Sequence, residues 1–510
     1  MEILIFTECN GSPGFGRDAG AYTVASRLRD AGFSVQVIDF FSFIDEQLMM
    51  KLVRKFVSDE TLFVGFSSTH ITTSMPDNKV GVYKKNNRTQ DNNSWNVYFP
   101  FSQDRMENYF NIIKSKNPQV KILVGGQKVI QKQNLQRSHP GVDIWVSGNA
   151  DVSVVQIARR LKKGEDLRGK LFEWEFPKFE NFNSTPTSWH SNDLIHPDEA
   201  LPLEISRSCP MNCAFCDFPK KRRGELTKSY DVVKFEILNN YERHGTKRYF
   251  ITDPLVNESL EKMSMIAELF TSLPFDIEWS GFIRLDLLKK YPEMVSMIER
   301  SGAKCLQFGI ESNNDSALKR VGKRMPFSEI EELLMALKQR WGDKILLCSG
   351  FVLGLPGDTE ESIQDLFCWL SSSKLLHYFE ITPLFIGPYN KSREPIVHFS
   401  QIQKNPGAWG YEIGQGVDGC GRTVENWLQT ETGLTKFKCV ELLEEFQKGE
   451  AWKNRLIGAA YSYMRCRNLG FSHEENLLST ANNNEFIETA IERYKELGEK
   501  YFENLFRKIC

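Results

Sequence analysis

The chain of 510 residues has no apolar run approaching the roughly 20 residues that a membrane-spanning helix needs. It has almost no net charge: 64 Lys and Arg stand against 66 Asp and Glu, for a formal −2. That balance argues against a nucleic-acid coat or a polybasic membrane-surface protein. Nothing basic leads the short apolar stretch Met1 to Phe6, which carries an early Glu2. The stretch reads as a first strand and not as a signal peptide, so a cytoplasmic location is expected. The 11 Cys are odd in number and scattered except for one cluster, a pattern of free thiols plus one metal site and not of a disulfide framework. Repeats of fixed period and low-complexity tracts are absent. The 36 Phe, 15 Tyr and 10 Trp exclude a disordered chain. The length suits about three domains.

What is present is strand and helix in alternation. Ile3 to Phe6, Phe33 to Ile38, Leu62 to Phe66, Ile122 to Val124 and Val142 to Val146 read as strands, with helices over Gly20 to Ala31 and Val152 to Leu161. This order predicts an α/β fold with a parallel, doubly wound (Rossmann-like) sheet over residues 1–165. Residues 72–101 are polar, rich in Asn and Lys, and read as an inserted loop or lid over the carboxyl ends of the strands. Residues 166–200 read as a linker. Six further βα units from Leu201 predict a partial TIM-type barrel over 201–400, and 401–510 reads as a helical C-terminal extension.

The most specific motif is Cys209-x3-Cys213-x2-Cys216, directly after a strand. Three thiolates on one tight loop can grip one face of a metal cluster. Electron-transfer iron–sulfur sites use four Cys. Three leave one iron with an open position, as catalytic metals require. A zinc knuckle completed by a distant ligand and three unrelated buried thiols are the alternatives.

With Phe215 before the last Cys, this motif resembles the radical S-adenosylmethionine (SAM) superfamily. Four later stretches carry the same resemblance in order: Thr252-Asp253-Pro254, Phe282 to Asp286, Phe308 to Ser312, and Gly350 to Gly357. The resemblance implies a [4Fe–4S] cluster on Cys209, Cys213 and Cys216. It implies SAM surrounded by Phe215, Asp253, Arg284, Glu311 and Ser312, with Asp253 facing the SAM amine and Arg284 its carboxylate. One electron from the cluster would then give methionine and a 5′-deoxyadenosyl radical, in a pocket that excludes water. Bland readings stand beside these: Glu311 and Asp253 as structural carboxylates, and Arg284 paired with Asp286.

Residues 1–165 resemble the cobalamin-binding domain often fused ahead of such a barrel. The resemblance rests on Val64 to Thr69, Leu123 to Gly126 and Asp143 to Gly148. It implies that Ser67, Ser68, Thr69, Gly125, Gly126 and Gly148 let a corrin approach the main chain, where glycine removes the side chain in its way. The D-x-H-x-x-G motif that supplies a lower cobalt ligand is missing. His70 is the nearest candidate, and it reads first as a solvated or structural His. A rival reading takes Gly14-x-Gly16-x3-Gly20 with Asp39 as a dinucleotide site. A first domain without any cofactor is a third.

Together these readings point to a radical SAM enzyme, either a cobalamin-dependent methyltransferase or a catalyst of rearrangement or cyclisation. A non-catalytic iron–sulfur regulatory protein is the reading from another class. An electron donor of the flavodoxin or ferredoxin kind is an expected partner; a membrane or nucleic acid is not. Methylthiotransfer on RNA is disfavoured, because no upstream Cys trio and no closing basic β-rich domain appear. Lys221, Arg222 and Arg223 read as a solvated face, and Cys420 is the one other Cys weighed as catalytic. The substrate is not legible.

Overall fold

The computed structural model describes the chain except residues 10–14, 69–70, 72–82, 85–94, 97–102, 127–128, 130–138, 152, 174–181, 221–223, 390, 392–397, 418–422, 454–459, 480–482 and 509–510. Thr69, His70, Gly14, Cys420 and the 221–223 basic run therefore lie outside the described residues. Most of the expected insertion does too, apart from a short antiparallel pair, β4 (Tyr83–Lys84) with β5 (Trp95–Asn96).

The first sheet contains β1 (Ile3–Phe6), β2 (Val35–Ile38), β3 (Phe63–Ser67), β6 (Lys121–Gly126), β7 (Ile144–Ser147) and β8 (Lys170–Glu173). Their order is β2-β1-β3-β6-β7-β8, and every pairing is parallel. The strand order reverses between β1 and β3, so a crevice opens beyond their carboxyl ends, where doubly wound sheets bind ligands. β1 is buried on both faces, which is why its sequence is a continuous apolar run without alternation. The following helix, Ala19–Asp30, starts where the Asp18 carboxylate accepts the Gly20 N–H at 3.1 Å. β8 extends this sheet from within the stretch expected to be linker.

The second sheet runs β9 (Leu201–Leu203), β10 (Arg248–Ile251), β11 (Glu278–Ile283), β12 (Ala303–Glu311), β13 (Leu346–Leu353) and β14 (Tyr378–Pro383), paired in sequence order and all parallel. β9 and β14 are its two edges, as in a partial barrel. The remaining linker is strapped down. Arg17 donates to both Glu199 carboxylate oxygens and to the Asp193 carbonyl, Arg29 pairs with Asp193 at 2.6 Å, and Arg27 reaches the Pro186 carbonyl.

Alternation along β1 divides the interior. Ile3 and Ile5 join one core that continues into the barrel, whereas Leu4 and Phe6 face a second core. That second core is completed by the last helix, Asn484–Lys508, through Phe486, Ala490, Tyr494, Tyr501, Phe502 and Leu505. The C-terminal region is helical as expected, with one correction: β15 (Tyr411–Val417) and β16 (Thr423–Gln429) form an antiparallel hairpin at its start. Among the described residues, no helix is long and apolar enough to cross a membrane.

Candidate active site

Cys209, Cys213 and Cys216 lie on the loop that follows β9, at the carboxyl end of the partial barrel, where barrel enzymes assemble their sites. Ser208 turns the chain into the loop at φ +71, a conformation that costs a non-glycine residue about 1–3 kcal/mol. The loop is then pinned from outside. Cys209 N–H donates to the Pro219 carbonyl at 3.1 Å, Ala214 N–H to that of Val321 at 3.0 Å, and Ile402 N–H to that of Ala214 at 3.1 Å. Two donors reach the sulfurs. Met211 N–H meets Cys209 Sγ at 3.5 Å, and Arg284 Nη1 meets Cys213 Sγ at 3.3 Å. Burial pushes the Cys209 and Cys216 thiols up from their ordinary range. Among the described residues, no three His, Cys, Asp or Glu side chains converge tightly enough to hold a single ion. All three thiols are free, so each Cys can hold a separate iron of one cluster. The donor set fits that group.

The expected SAM residues divide. Asp253 is completely buried, and the donors around it favour its reading as a structural carboxylate. Oδ1 accepts the Ile205 N–H at 2.8 Å; Oδ2 accepts the Ser206 N–H at 2.8 Å, the Ser206 hydroxyl at 2.9 Å and Lys262 Nζ at 2.6 Å. Those donors belong to the strand that feeds the Cys loop and to the helix after β10. Asp253 therefore holds the loop's root, while its neighbours Thr252 and Pro254 line the cleft. Arg284 makes the expected pairing with Asp286 and an unanticipated contact to Cys213. Its fork grips Asp286 at 2.8 and 2.9 Å while Nη1 reaches Cys213. Burial opposes its charge, but the Asp286 partner outweighs burial and raises its pKa.

Glu311 ends β12 at φ +77, beside a register shift against β13. Its carboxylate accepts from Lys323 at 3.0 Å, and Lys323 also donates to the Gly309 carbonyl at 2.6 Å. A Cβ on Gly309 would stand 2.9 Å from that ammonium and 2.7 Å from the Glu311 carboxylate, so both side-chain ends would have to shift. Ser312 hydroxyl accepts the Asn314 N–H at 3.0 Å and lies 3.5 Å from Asp358. Phe215 is half-buried against the core.

Asp358 was not anticipated. It caps the loop after β13 by accepting the N–H groups of Gly354 and Leu355 at 3.1 and 2.9 Å, and burial raises its pKa to about 6. The hairpin clamps the same loop. Gln429 Nε2 donates to the Gly354 and Leu355 carbonyls, Tyr411 hydroxyl donates to that of Gly354, and the Trp427 ring fills the space where a Gly354 side chain would project. Gly354 takes φ +85. The glycines at 354 and 357 marked this loop in the sequence; no pattern marked Gln429 or Tyr411.

On the first domain, Ser68 N–H donates to the Gly125 carbonyl at 2.7 Å. Gly126 adopts φ +125, and a Cβ there would lie 2.7 Å from Ser68 Oγ, a buried hydroxyl without a partner. Gly148 takes φ +80. Ser67, Gly125, Gly126 and Gly148 form one wall of a cleft of about 440 Å³. Ser206, Arg207, Ser208, Phe218 and Pro219 from the Cys loop form the opposite wall. Arg207 joins the walls, pairing with Asp151 at 2.5 Å and with Glu204 at 2.8 Å. Ser208 Oγ is buried in this cleft without a partner. The cleft lies at the switch between β1 and β3, and its backbone glycine shelf and orphaned hydroxyls fit a large ligand that presents polar groups.

The dinucleotide reading is overturned. Asp39 is fully buried, pairs with Arg17 at 2.5 Å and accepts from the Tyr22 hydroxyl. It has no route to a ribose.

Residues 203–370 match the radical SAM superfamily model. An uncharacterized methyltransferase of Pyrococcus horikoshii is 26% identical over 277 residues, 50% of this chain and 58% of that protein. The ribosomal protein uS12 methylthiotransferase RimO of Bdellovibrio bacteriovorus is 23% identical over 269 residues, 48% of this chain and 54% of RimO. The match thus spans little more than half of those relatives. Among solved structures, the radical SAM methyltransferase TsrM from Kitasatospora setae, with cobalamin and a [4Fe–4S] cluster bound, superposes with a TM-score of 0.61 at 13% identity, covering 96% of this chain and 99% of TsrM. The cobalamin-dependent radical enzyme OxsB, with aqua-cobalamin and SAM bound, gives 0.53 at 16%, covering 80% of this chain and 56% of OxsB. These two structures share the fold over most of this chain.

Proposed function

We propose, for a chain whose residues 203–370 are a radical SAM domain, that it is a cobalamin-dependent radical SAM methyltransferase. One observation carries the reading. The glycine shelf of the first domain and the Cys loop of the barrel are opposite walls of one cleft. A corrinoid on Ser67, Gly125, Gly126 and Gly148 would therefore face SAM held at the cluster. A structure that shares the fold over 96% of this chain has cobalamin and a [4Fe–4S] cluster bound.

When bound, the cluster supplies the electron that splits SAM and the corrinoid supplies a transferable methyl group. The chain's own residues do the rest. Cys209, Cys213 and Cys216 hold the cluster, and Arg284 donates to Cys213. A hydrogen bond from a cation to sulfur withdraws charge from it and so tunes the potential. Asp253 and Lys262 fix the root of the loop. The Lys323–Glu311 pair and Ser312 stand on the barrel rim as polar contacts for SAM, and the hairpin-clamped loop 354–357 shapes the rim beside them. Arg207, pinned by Asp151 and Glu204, keeps the two walls at fixed separation. Members of the superfamily need a reductant, and a flavodoxin- or ferredoxin-like donor is proposed here.

The test is anaerobic turnover of reconstituted enzyme with SAM carrying a deuterated methyl group. The reading expects 5′-deoxyadenosine, and label on the added cobalamin. Label that never reaches the corrinoid, with 5′-deoxyadenosine still formed, would replace methyl transfer by radical rearrangement. Cofactors bound without any SAM cleavage would leave a non-catalytic protein.

A further inference from the structure

Four arginines of this chain are largely buried in or beside the site, and three of them are matched with a carboxylate: Arg17 with Asp39 and Glu199, Arg207 with Asp151 and Glu204, Arg284 with Asp286. The fourth, Arg465, is not. Among the described residues, no group accepts a hydrogen bond from its guanidinium and no carboxylate lies within ion-pair distance. Its guanidinium covers the Tyr461 ring at 4.5 Å. Gly16 makes room for it: a Cβ at Gly16 would meet Arg465 Cγ at 3.0 Å. A guanidinium has five donors and no acceptor, and those of half-buried Arg465 stay open to a ligand. Burial pulls its pKa below the ordinary guanidinium range.

Its place is as informative as its lack of a partner. Arg465 sits on the helix Ala460–Asn468, which lies on the inner face of the barrel. There Tyr463 and Met464 pack on Cys305, Leu346, Cys348 and Tyr378, and Ala460 N–H donates to Gln307. Tyr461 touches the Phe250 ring at 6.1 Å, Phe250 touches Phe282 at 6.0 Å, and all three rings are half-buried. On the other side, the Arg465 carbonyl accepts the Phe15 N–H of the first domain, and the charge of Asp18, which lines the cleft, acts on Arg465 without pairing with it. The free fork is thus held between the barrel's aromatic inner face and the wall of the two-domain cleft.

We infer that Arg465 anchors the carboxylate of the substrate, an organic acid whose apolar, ring-sized body rests on Tyr461, Phe250 and Phe282. A planar carboxylate matches the guanidinium fork with two parallel hydrogen bonds. A single cation with Asp18 nearby suits a monoanion and repels the second charge of a phosphate. This assignment rests on the proposed function, because it takes the barrel interior to be the substrate chamber.

The test is calorimetric titration of the full reconstituted chain with phenylacetate, alongside phenethylamine and inorganic phosphate. Wild type is expected to bind phenylacetate saturably and to discriminate against the other two. Arg465→Met should weaken phenylacetate at least about tenfold, the loss expected for one charge-assisted contact. Arg465→Lys should recover part of it. Should R465M not fold, R465K and Gly16→Ala, whose new methyl crowds the arginine stem, carry the comparison. Equal affinity in wild type and variants, no saturable binding by wild type, or tighter binding of phosphate would each overturn the assignment. The titration needs no turnover, so it stays readable if methyl transfer fails. Conversely, wild-type phenylacetate affinity in R465M, with unchanged iron content and 5′-deoxyadenosine yield, refutes only the anchor.

Discussion

Replacing Asp253 by Asn separates a role in holding the Cys loop from a role in binding SAM. The carboxylate takes four donors: the N–H groups of Ile205 and Ser206, the Ser206 hydroxyl, and Lys262 Nζ at 2.6 Å. An amide keeps one oxygen and turns an NH2 toward at least one of those donors. It also leaves Lys262, whose side chain is 3% exposed, without its counter-charge. Removing one partner of a buried ion pair costs roughly 3–5 kcal/mol. The amide keeps part of the hydrogen bonding, so about 3 kcal/mol is expected. At roughly 2–4 °C per kcal/mol for a domain of this size, the barrel's calorimetric midpoint falls by about 6–12 °C. Cluster content per chain should fall with it, because the strand that feeds the Cys loop loses its anchor. SAM affinity, measured on the cluster-loaded fraction alone, should stay within about twofold of wild type, since all four donors to the carboxylate come from the loop's root and Lys262. A D253N protein with wild-type midpoint and iron content but SAM binding weakened tenfold would refute this account of Asp253.

Further outcomes follow from other sites. Glu8 is fully buried, accepting from Ser42 N–H and the Tyr494 hydroxyl, and burial raises its pKa from 4.5 to about 7. The folded state therefore binds the proton more tightly than the unfolded chain. Its contribution falls as pH rises from about 4.5 to 7, by up to about 3 kcal/mol; melting curves at pH 5 and pH 8 should show that difference in wild type and lose it in Glu8→Gln. Gly126→Ala places a methyl 2.7 Å from Ser68 Oγ at φ +125. It should cost about 1–3 kcal/mol and lower corrinoid retention on gel filtration, with iron content unchanged. Ending the chain at residue 483 removes the helix that supplies Tyr494, Tyr501 and Leu505 to the second core. That truncated protein should expose the Phe15 and Phe40 face and bind a hydrophobic dye, whereas a soluble, dye-silent product would contradict the packing described.

Much of the architecture was legible because it rests on local pattern. The unbroken apolar runs at Ile3 to Phe6 and Ile122 to Val124 mark strands buried on both faces, and the C-x3-C-x2-C spacing fixes three thiols on one loop whatever surrounds them. Contacts between distant segments were not legible. Asp253 ends a strand as a cofactor-facing residue would, and only the positions of Ile205, Ser206 and Lys262 reveal that its oxygens are already taken. Arg17 and Asp39 sit where a nucleotide fingerprint would place them, yet they pair with each other and with Glu199, 182 residues on. β15 and β16 are rich in polar residues and glycine, so their strand signal is weak; they form because Tyr411, Trp427 and Gln429 pack onto the loop after β13. The closing of the second core by the last helix depends on a contact spanning nearly the whole chain, which no window of sequence displays.

The central claim is that this chain holds a cluster and a corrinoid on the two walls of one cleft. Anaerobic reconstitution with iron, sulfide and cobalamin, followed by metal, sulfide and corrinoid quantitation, tests it most directly. The account predicts about four irons and one corrinoid per chain. The iron should be lost in Cys213→Ala, and the corrinoid diminished in Gly126→Ala. Zinc in place of iron, or a full complement of iron with no corrinoid retained, would contradict it.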